Sequence, residues 1–369
     1  MYKKLENLTG NLDKVTLAEL AEKIKQWGHE LGFQGVGITN TYLGEAETHL
    51  LNWLKAGFHG DMEYMNRHGI KRSRPQELVP GTLSIISVRM DYLPAPCANP
   101  QVILENPELA YVSRYALGRD YHKVLKKRLQ SLAFRIEQKT GPYGYRVFAD
   151  SAPVLEKAIA EKAGLGWIGK HTNLLHRNTG SWFFLGEIYT DLPLPVDSAA
   201  VNHCGTCHAC IDICPTQAIV APYQLNAQLC ISYLTIEFKG EIPIELRPLM
   251  GNRIYGCDDC QLVCPWNRFA TPTSEQDFLP RNGLDAPKLI ELFAWEEDDF
   301  LQKTTGSPIR RIGYHCWLRN IAVALGNAPT SPEIISALKA RLHHPSPLVV
   351  SHVTWALEQQ INGDPSKSP

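Results

Sequence analysis

Eight of the ten cysteines of this 369-residue chain fall between residues 204 and 264, and their spacing is that of metal ligands rather than cross-links. The first run reads Cys204-Gly-Thr-Cys207-His-Ala-Cys210-Ile-Asp-Ile-Cys214-Pro215, and the second reads Cys257-Asp-Asp-Cys260-Gln-Leu-Val-Cys264-Pro265. In a C-x2-C-x2-C-x3-C-P run, three thiolates grip one 4Fe-4S cubane, and the fourth, turned away by its proline, ligates another. One run therefore implies two clusters and one-electron chemistry. The second run lacks its leading cysteine, since Ile254 stands three residues before Cys257, and Cys230 is the nearest thiol to replace it. On this crossover rule the first cluster takes Cys204, Cys207, Cys210 and Cys264, and the second takes Cys214, Cys230, Cys257 and Cys260. Structural zinc also favours C-x2-C pairs, but as two separated pairs rather than a four-cysteine run closed by proline.

A second candidate is a carboxylate. Asp150-Ser151-Ala152-Pro153-Val154-Leu155-Glu156-Lys157 leads from the strand-like Tyr145-Arg-Val-Phe-Ala149 into an alanine-rich helical stretch, which puts Asp150 at the carboxyl end of a strand. In α/β sheets ligands are bound at that edge. The same phrase also reads as simple capping, an Asp or Ser before a helix with proline in its first turn, and the residues alone leave both readings open. The loop from His59 to Pro75 concentrates Arg67, Lys71, Arg72 and Arg74; it is either a solvated connection or a contact for anionic groups of a ligand. The glycines of Gly164-Leu-Gly166-Trp-Ile-Gly169-Lys170 fit neither G-x-G-x-x-G nor the P-loop, so no nucleotide site is assigned.

The elements that must position these groups follow from apolar periodicity. Leu17, Leu20, Ala21, Ile24, Trp27 and Leu31 recur at helical spacing behind a possible Thr16 cap. Strands are expected at Phe33–Thr39, Leu83–Arg89, Tyr145–Ala149 and Trp182–Tyr189, with helices around Leu50–Leu54 and from Asp120 to about Lys139. Alternating strands and helices indicate an α/β layer. Beyond the cysteines the chain turns helical, and Ile321-Ala-Val-Ala-Leu-Gly and Val353-Thr-Trp-Ala-Leu-Glu recur about 32 residues apart, as in a short stack of HEAT-like hairpins. Arg310, Arg311, Arg319, Lys339 and Arg341 would line one face of such a stack, or be ordinary surface charge. The tail from Asn362 to Pro369 is polar and expected to be disordered.

An apolar fraction of 44%, a charged fraction of 20% and a net charge of −1 describe an ordinary globular chain. They exclude no partner, because a neutral total can hide a basic face. Met1-Tyr-Lys-Lys-Leu-Glu-Asn-Leu shows no signal-peptide core and no twin arginine, and no apolar run reaches the roughly 18 residues of a membrane span. A cytoplasmic monomer with no membrane partner is expected, in a reducing compartment that suits thiolate ligands.

The fold class is thus a multidomain α+β and α/β chain. Residues 1–200 form an α/β domain, 201–267 a ferredoxin-like double 4Fe-4S domain, and 268–369 an α-helical HEAT-like domain. In this arrangement the chain resembles the epoxyqueuosine reductases, cobalamin-dependent enzymes of queuosine synthesis in tRNA. The resemblance covers nearly the whole length. It is carried by Arg72-Ser-Arg-Pro-Gln-Glu-Leu-Val-Pro-Gly81, Ser113-Arg-Tyr-Ala-Leu-Gly-Arg-Asp-Tyr-His122, Asp150-Ser-Ala-Pro-Val-Leu-Glu156, Gly164-Leu-Gly-Trp-Ile-Gly-Lys170, the first cysteine run, Cys230-Ile-Ser-Tyr-Leu-Thr235 and Gly251-Asn-Arg-Ile-Tyr-Gly-Cys257.

The resemblance implies base-off cobalamin held between the α/β domain and the cluster domain, two 4Fe-4S clusters, an unidentified electron donor, and a substrate tRNA carrying epoxyqueuosine at the anticodon wobble position, bound in part by the helical domain. It makes Asp150 the proton donor, its pKa raised by burial against the corrin. It also places Arg72, Ser113, Asp150, Ser151, Ala152, Pro153, Val154, Leu155 and Lys157 at the cofactor. Asp120-Tyr-His122 does not complete D-x-H-x-x-G, which agrees with a cobalt that has no histidine below it. The alternatives are a reductive dehalogenase-like corrinoid iron-sulfur reductase of a small molecule, and a plain electron-transfer protein.

Overall fold

The computed structural model describes residues 14–362; the leader before them and the polar tail after them lie outside the described residues. In chain order the N-terminal layer consists of α1 (Lys14–Glu30), β1 (Gly35–Asn40), α2 (Gly44–Lys55), β2 (Ser84–Asp91), α3 (Tyr121–Thr140), β3 (Tyr145–Phe148), α4 (Glu156–Lys162) and β4 (Phe183–Thr190). Thr16 lies within α1 rather than capping it.

The four strands pair in the order β1-β2-β4-β3, every neighbour antiparallel. The layer is therefore α+β, and the expectation of an α/β sheet with a functional carboxyl edge is corrected here. Strands alternating with helices along the chain do not force parallel pairing when the connections can return the chain in the opposite sense. Both faces of the sheet are nonetheless covered, so all eight residues of β2 and of β4 are buried. Successive side chains point to opposite faces: Ile86, Val88 and Ile188 meet α1 and α3, while Ile85, Phe148 and Tyr189 meet α4. Gly37 is required where β1 passes α4, because a Cβ there would lie 2.0 Å from the Ala163 carbonyl oxygen.

The cysteine runs fold as two short turns of helix, α5 (Ala209–Asp212) and α6 (Asp259–Leu262), which pack on each other. A short parallel pairing of residues 253–255 with 111–112 ties this stretch back to the N-terminal half. The chain ends in α7 (Tyr314–Asn327), α8 (Pro332–Ala340) and α9 (Pro347–Asn362). α7 is apolar nearly all round and packs on α9, on the segment before it and on the cysteine stretch, sharing one core with Ile231, Leu234 and Ile254.

The proposed basic strip does not form. Arg319 is fully buried, its guanidinium donating to the carbonyls of Leu234, Phe238 and Gly240 and to Asn320 Oδ1. Arg341 is spent on Glu296 and on the carbonyls of Phe293 and Trp295. A guanidinium has five donors, and a buried carbonyl cluster in a chain turn recruits them as readily as a phosphate does. Arg310, Arg311 and Lys339 remain on the outside.

Candidate functional site

The eight ligand candidates gather in two neighbouring places. Cys204, Cys207, Cys210 and Cys264 ring one cavity together with Lys170, His171, Leu175 and Trp266. Burial first, and then the neighbouring Cys264, Cys204 and Cys207, push the Cys210 thiol up to about 11. Cys230, Cys257 and Cys260 lie deeper, in mutual electrostatic contact and with Cys214 beside them. Cys214 Sγ accepts the Ala218 N–H at 3.2 Å, and Cys257 Sγ donates to Asp259 Oδ2 at 2.8 Å.

All ten thiols are free, and Cys97 and Cys316 belong to neither group. Four thiols around a cavity suit a cubane, whose irons sit between the sulfurs, better than a single zinc ion with all four sulfurs at about 2.3 Å. Among the described residues no three His, Cys, Asp or Glu side chains converge on one ion. Burial pushes the thiols of Cys210, Cys230, Cys257, Cys260 and Cys264 up, so cluster binding must release protons.

The glycine-rich turn, left without a role by its sequence, is a buttress for the first group. Trp167–Ile168 and Leu174–Leu175 form a hairpin, and Lys170 Nζ donates to the carbonyls of Gly205 and Cys207 at 2.7 and 2.9 Å.

Between the sheet and α6 opens a cleft of about 300 Å³, with Tyr92, Tyr121, Phe183 and Leu185 among its apolar walls and Ser113, Lys157, Cys257 and Asp258 among its polar groups. Asp258 is buried and accepts from Ser113 Oγ (2.6 Å), Tyr111 Oη (2.9 Å) and the Arg114 N–H (2.9 Å). One wall of the cleft is thus shared with the second cysteine group.

Asp150 does not itself line this cleft but is bonded to Tyr121, which does, and its side chain is 45% exposed. It is not a helix cap, because α4 begins six residues later with Leu155 at the cap position. Its Oδ2 accepts from Tyr121 Oη and lies 3.1 Å from His122 Nε2, and His122 Nδ1 lies 2.7 Å from Asp120 Oδ1. Burial works to raise the Asp150 carboxyl, but the bonds from His122 and Tyr121 outweigh it and hold it below the usual Asp value. This differs from the raised pKa expected of the donor. For His122, burial lowers the imidazole, yet Asp120 and Asp150 together lift it to about 9. The pair thus favours a charged imidazole beside an ionised carboxylate, with one hydrogen bond between them.

Linkage gives this a sign. His122 has a folded pKa raised from 6.5 to about 9, so its stabilising contribution is complete below about pH 6.5 and is lost as pH rises through 9. Thermal melts between pH 6.5 and 9.5 should show wild type losing more stability than His122→Asn, which carries no such proton; parallel losses would contradict the assignment.

The other cofactor candidates are placed unevenly. Lys157 lines the cleft, and its ammonium is lowered by burial against the charges of Glu156 and Asp150. Ser151 is exposed and Pro153 half-buried, whereas Val154, with Ala152 and Leu155, packs onto Phe148, Ile159 and Tyr189 as the loop's apolar anchor. Arg72 is buried, donating to the Tyr64 carbonyl at 2.9 Å, with its charge facing Glu156. Tyr121, His122 and Arg311, whose charge faces Asp150, were not assigned to the catalytic site from sequence. Asp120-Tyr-His122 was visible there, but only as an incomplete metal motif.

A family model described as "Epoxyqueuosine reductase QueG, DUF1730" matches residues 72–151, which hold Arg72, Ser113 and Asp150. A model for a 4Fe-4S double cluster binding domain matches residues 203–267, which hold all eight ligand candidates. An epoxyqueuosine reductase of Pseudomonas aeruginosa is 64% identical over 353 residues, 95% of this chain and 98% of its own length. A solved epoxyqueuosine reductase bound to a tRNA-Tyr epoxyqueuosine-modified stem loop is similar with a TM-score of 0.84 and 28% identity, over 94% of this chain and 91% of that one. Another, from Bacillus subtilis with its catalytic aspartate loop swung out of the active site, gives 0.82 and 28% over 93% and 90%.

Proposed function

The chain belongs to the epoxyqueuosine reductase family, and from that premise we propose that Asp150 delivers the proton with which the epoxide oxygen of tRNA-borne epoxyqueuosine leaves as water. The protein is an oxidoreductase that reduces this modified base in tRNA. Conversion of the epoxide to an alkene takes up two electrons and two protons and releases one water. The observation that carries the reading is the hydrogen-bonded series Asp120, His122, Asp150, which Tyr121 links to a cleft lined also by Cys257 and Asp258. A protonated imidazole behind an ionised carboxylate can restore the carboxylic acid after each transfer, the role of a general acid with its own reservoir.

The cleft's chemistry fits a corrinoid. Apolar and aromatic walls suit the flat macrocycle, and Ser113, Ser181, Asn173 and Lys157 offer partners to its amide rim. Cobalamin, when bound, supplies a reactivity that side chains lack, and the two 4Fe-4S clusters supply the electrons that renew it. Lys157, Ser113 and Arg72, with the backbone from Ser151 to Leu155, are the residues that would hold it. Cys204, Cys207, Cys210 and Cys264 would hold the outer cluster, and Cys214, Cys230, Cys257 and Cys260 the one beside the cleft. The dehalogenase alternative offers no use for a tRNA-binding tail. A visible spectrum of anaerobically purified protein should show corrinoid and iron-sulfur bands together; iron-sulfur bands alone would leave a plain electron-transfer protein.

We divide the work among residues 1–200 for cofactor and catalysis, 201–267 for the clusters and 268–369, HEAT-like, for tRNA. The protein would act in the cytoplasm with a separate electron donor. Among the described residues no helix is long and apolar enough to cross a membrane. Arg311, paired with Glu237 and with its charge toward Asp150, is our candidate for a contact to the anticodon backbone, and splayed anticodon bases can enter a pocket closed to a duplex. Replacing Arg310 and Arg311 by alanine should weaken tRNA binding and flatten its salt dependence by about one phosphate contact per residue, with iron content unchanged. An unaltered slope would remove them from the interface.

A further inference from the structure

Beneath the Asp150 loop lies a buried polar pocket that the proton series does not use. Glu187, in β4 at the centre of the sheet, is fully buried, and neither of its carboxyl oxygens has a hydrogen-bond partner. Ser87 stands opposite it on β2 with an equally unpartnered Oγ. Tyr189 Oη, two residues along the same face, and Arg72 Nε are unpartnered as well. Evolution seldom leaves several buried polar atoms in one place without a use.

Glu156, the first residue of α4, faces Glu187, close enough for the two carboxyls to act on each other although no bond of normal geometry joins them. From the other side Glu156 Oε1 accepts the N–H of Asp150. Asp150 has φ +55°, the left-handed region that an L-residue occupies only under constraint. Glu156 and its neighbours supply that constraint: its carboxylate takes the N–H, while Val154 and Leu155 pin the loop into the apolar layer.

Two carboxyls enclosed together cannot both ionise. Burial, and then the charge of Asp150, lifts Glu156 to about 8, and burial followed by Glu156 holds Glu187 well above the ordinary range. The other charged or titratable groups around the pair are Asp150, His122, Lys157, Arg72 and Tyr189.

We infer that Glu156 and Glu187 are a positioning pair: Glu187 backs Glu156 where α4 packs on β4, and Glu156 holds the Asp150 N–H so that the Asp150 carboxyl stays beside His122. This rests on Asp150 being the proton donor. Neither glutamate touches the reacting atoms, so their loss should change turnover and not affinity.

The test compares Glu156→Gln, which keeps an acceptor oxygen, with Glu156→Ala, which has none, in holoenzyme with full iron content. Glu156→Ala should lower kcat by about 10²-fold, the scale of a misplaced catalytic group, with KM for epoxyqueuosine-containing tRNA within about twofold. Glu156→Gln should restore most of the loss, and Glu187→Gln, which can still donate to Glu156, should resemble wild type near pH 7. If the alanine variant does not fold, Glu156→Asp withdraws the acceptor by one methylene and must show the same fall in kcat. The pair is overturned if Glu156→Ala keeps normal kcat, if KM alone moves, or if Gln and Ala are equally impaired. Asp150→Asn serves as the control: an active Asp150→Asn would sink the donor assignment itself, whereas an inactive one beside a normal Glu156→Ala would sink only the positioning pair.

Discussion

Asp150→Asn is expected to lower turnover by about 10²-fold or more, the usual loss when a general acid is removed, while the fold, the iron content and tRNA binding stay as they are. The substitution is close to isosteric, and Asn is among the few residues that tolerate a left-handed φ such as the +55° at this position. Its carbonyl oxygen can still accept from Tyr121 Oη and from protonated His122. What it lacks is an exchangeable acid proton. Since the Asp150 carboxyl is held below its ordinary value, its favourable contribution is present above about pH 4 and is lost as pH falls through the folded pKa. At neutral pH the Asn variant forgoes that contribution, but the side chain is 45% exposed and solvent screens the interaction, so only a small drop in melting temperature is expected. Near-normal turnover with full cofactor content would show that the proton comes from elsewhere.

Cys230→Ser should reduce iron from about eight atoms per chain toward about four, the content of one cubane rather than two. Cys230 lies within electrostatic reach of Cys257, Cys260 and Cys214, and the second run has Ile254 where its first cysteine would stand. Ile254 is fully buried and packed in the apolar core shared with α7, so that stretch of backbone serves the helices and not the cluster. Cys97→Ser and Cys316→Ser should leave iron unchanged, Cys97 lying near Arg114 and Asp285 and Cys316 buried in α7. An equal loss of iron on replacing Cys316 would overturn the ligand set.

The double 4Fe-4S domain was legible in the sequence because ligand spacing is local: a cubane constrains residues two, three and four apart. The strands were legible too, from Leu83–Arg89 to Trp182–Tyr189, each displaced by a residue or so from its place in the structure. Pairing direction was not. Nothing local distinguishes a buried parallel strand from an antiparallel strand covered on both faces, as β2 and β4 are.

Asp150 could be singled out, but its partners could not. His122 and Glu156 come to it from α3 and α4, and Glu187 lies behind Glu156 in β4, contacts set by tertiary packing that no spacing rule predicts. The basic strip failed for the converse reason. Arg319 has the composition of a surface residue, and only the carbonyls that converge on it show it to be a core residue.

The most direct test of the account is to incubate the anaerobically purified protein with a reductant and tRNA carrying epoxyqueuosine, digest the tRNA and weigh the modified nucleoside. The account predicts that the nucleoside loses one oxygen atom with wild-type protein and keeps it with Asp150→Asn at the same iron and corrinoid content. Loss of the oxygen with both proteins, or with neither although clusters and corrinoid are in place, would contradict it.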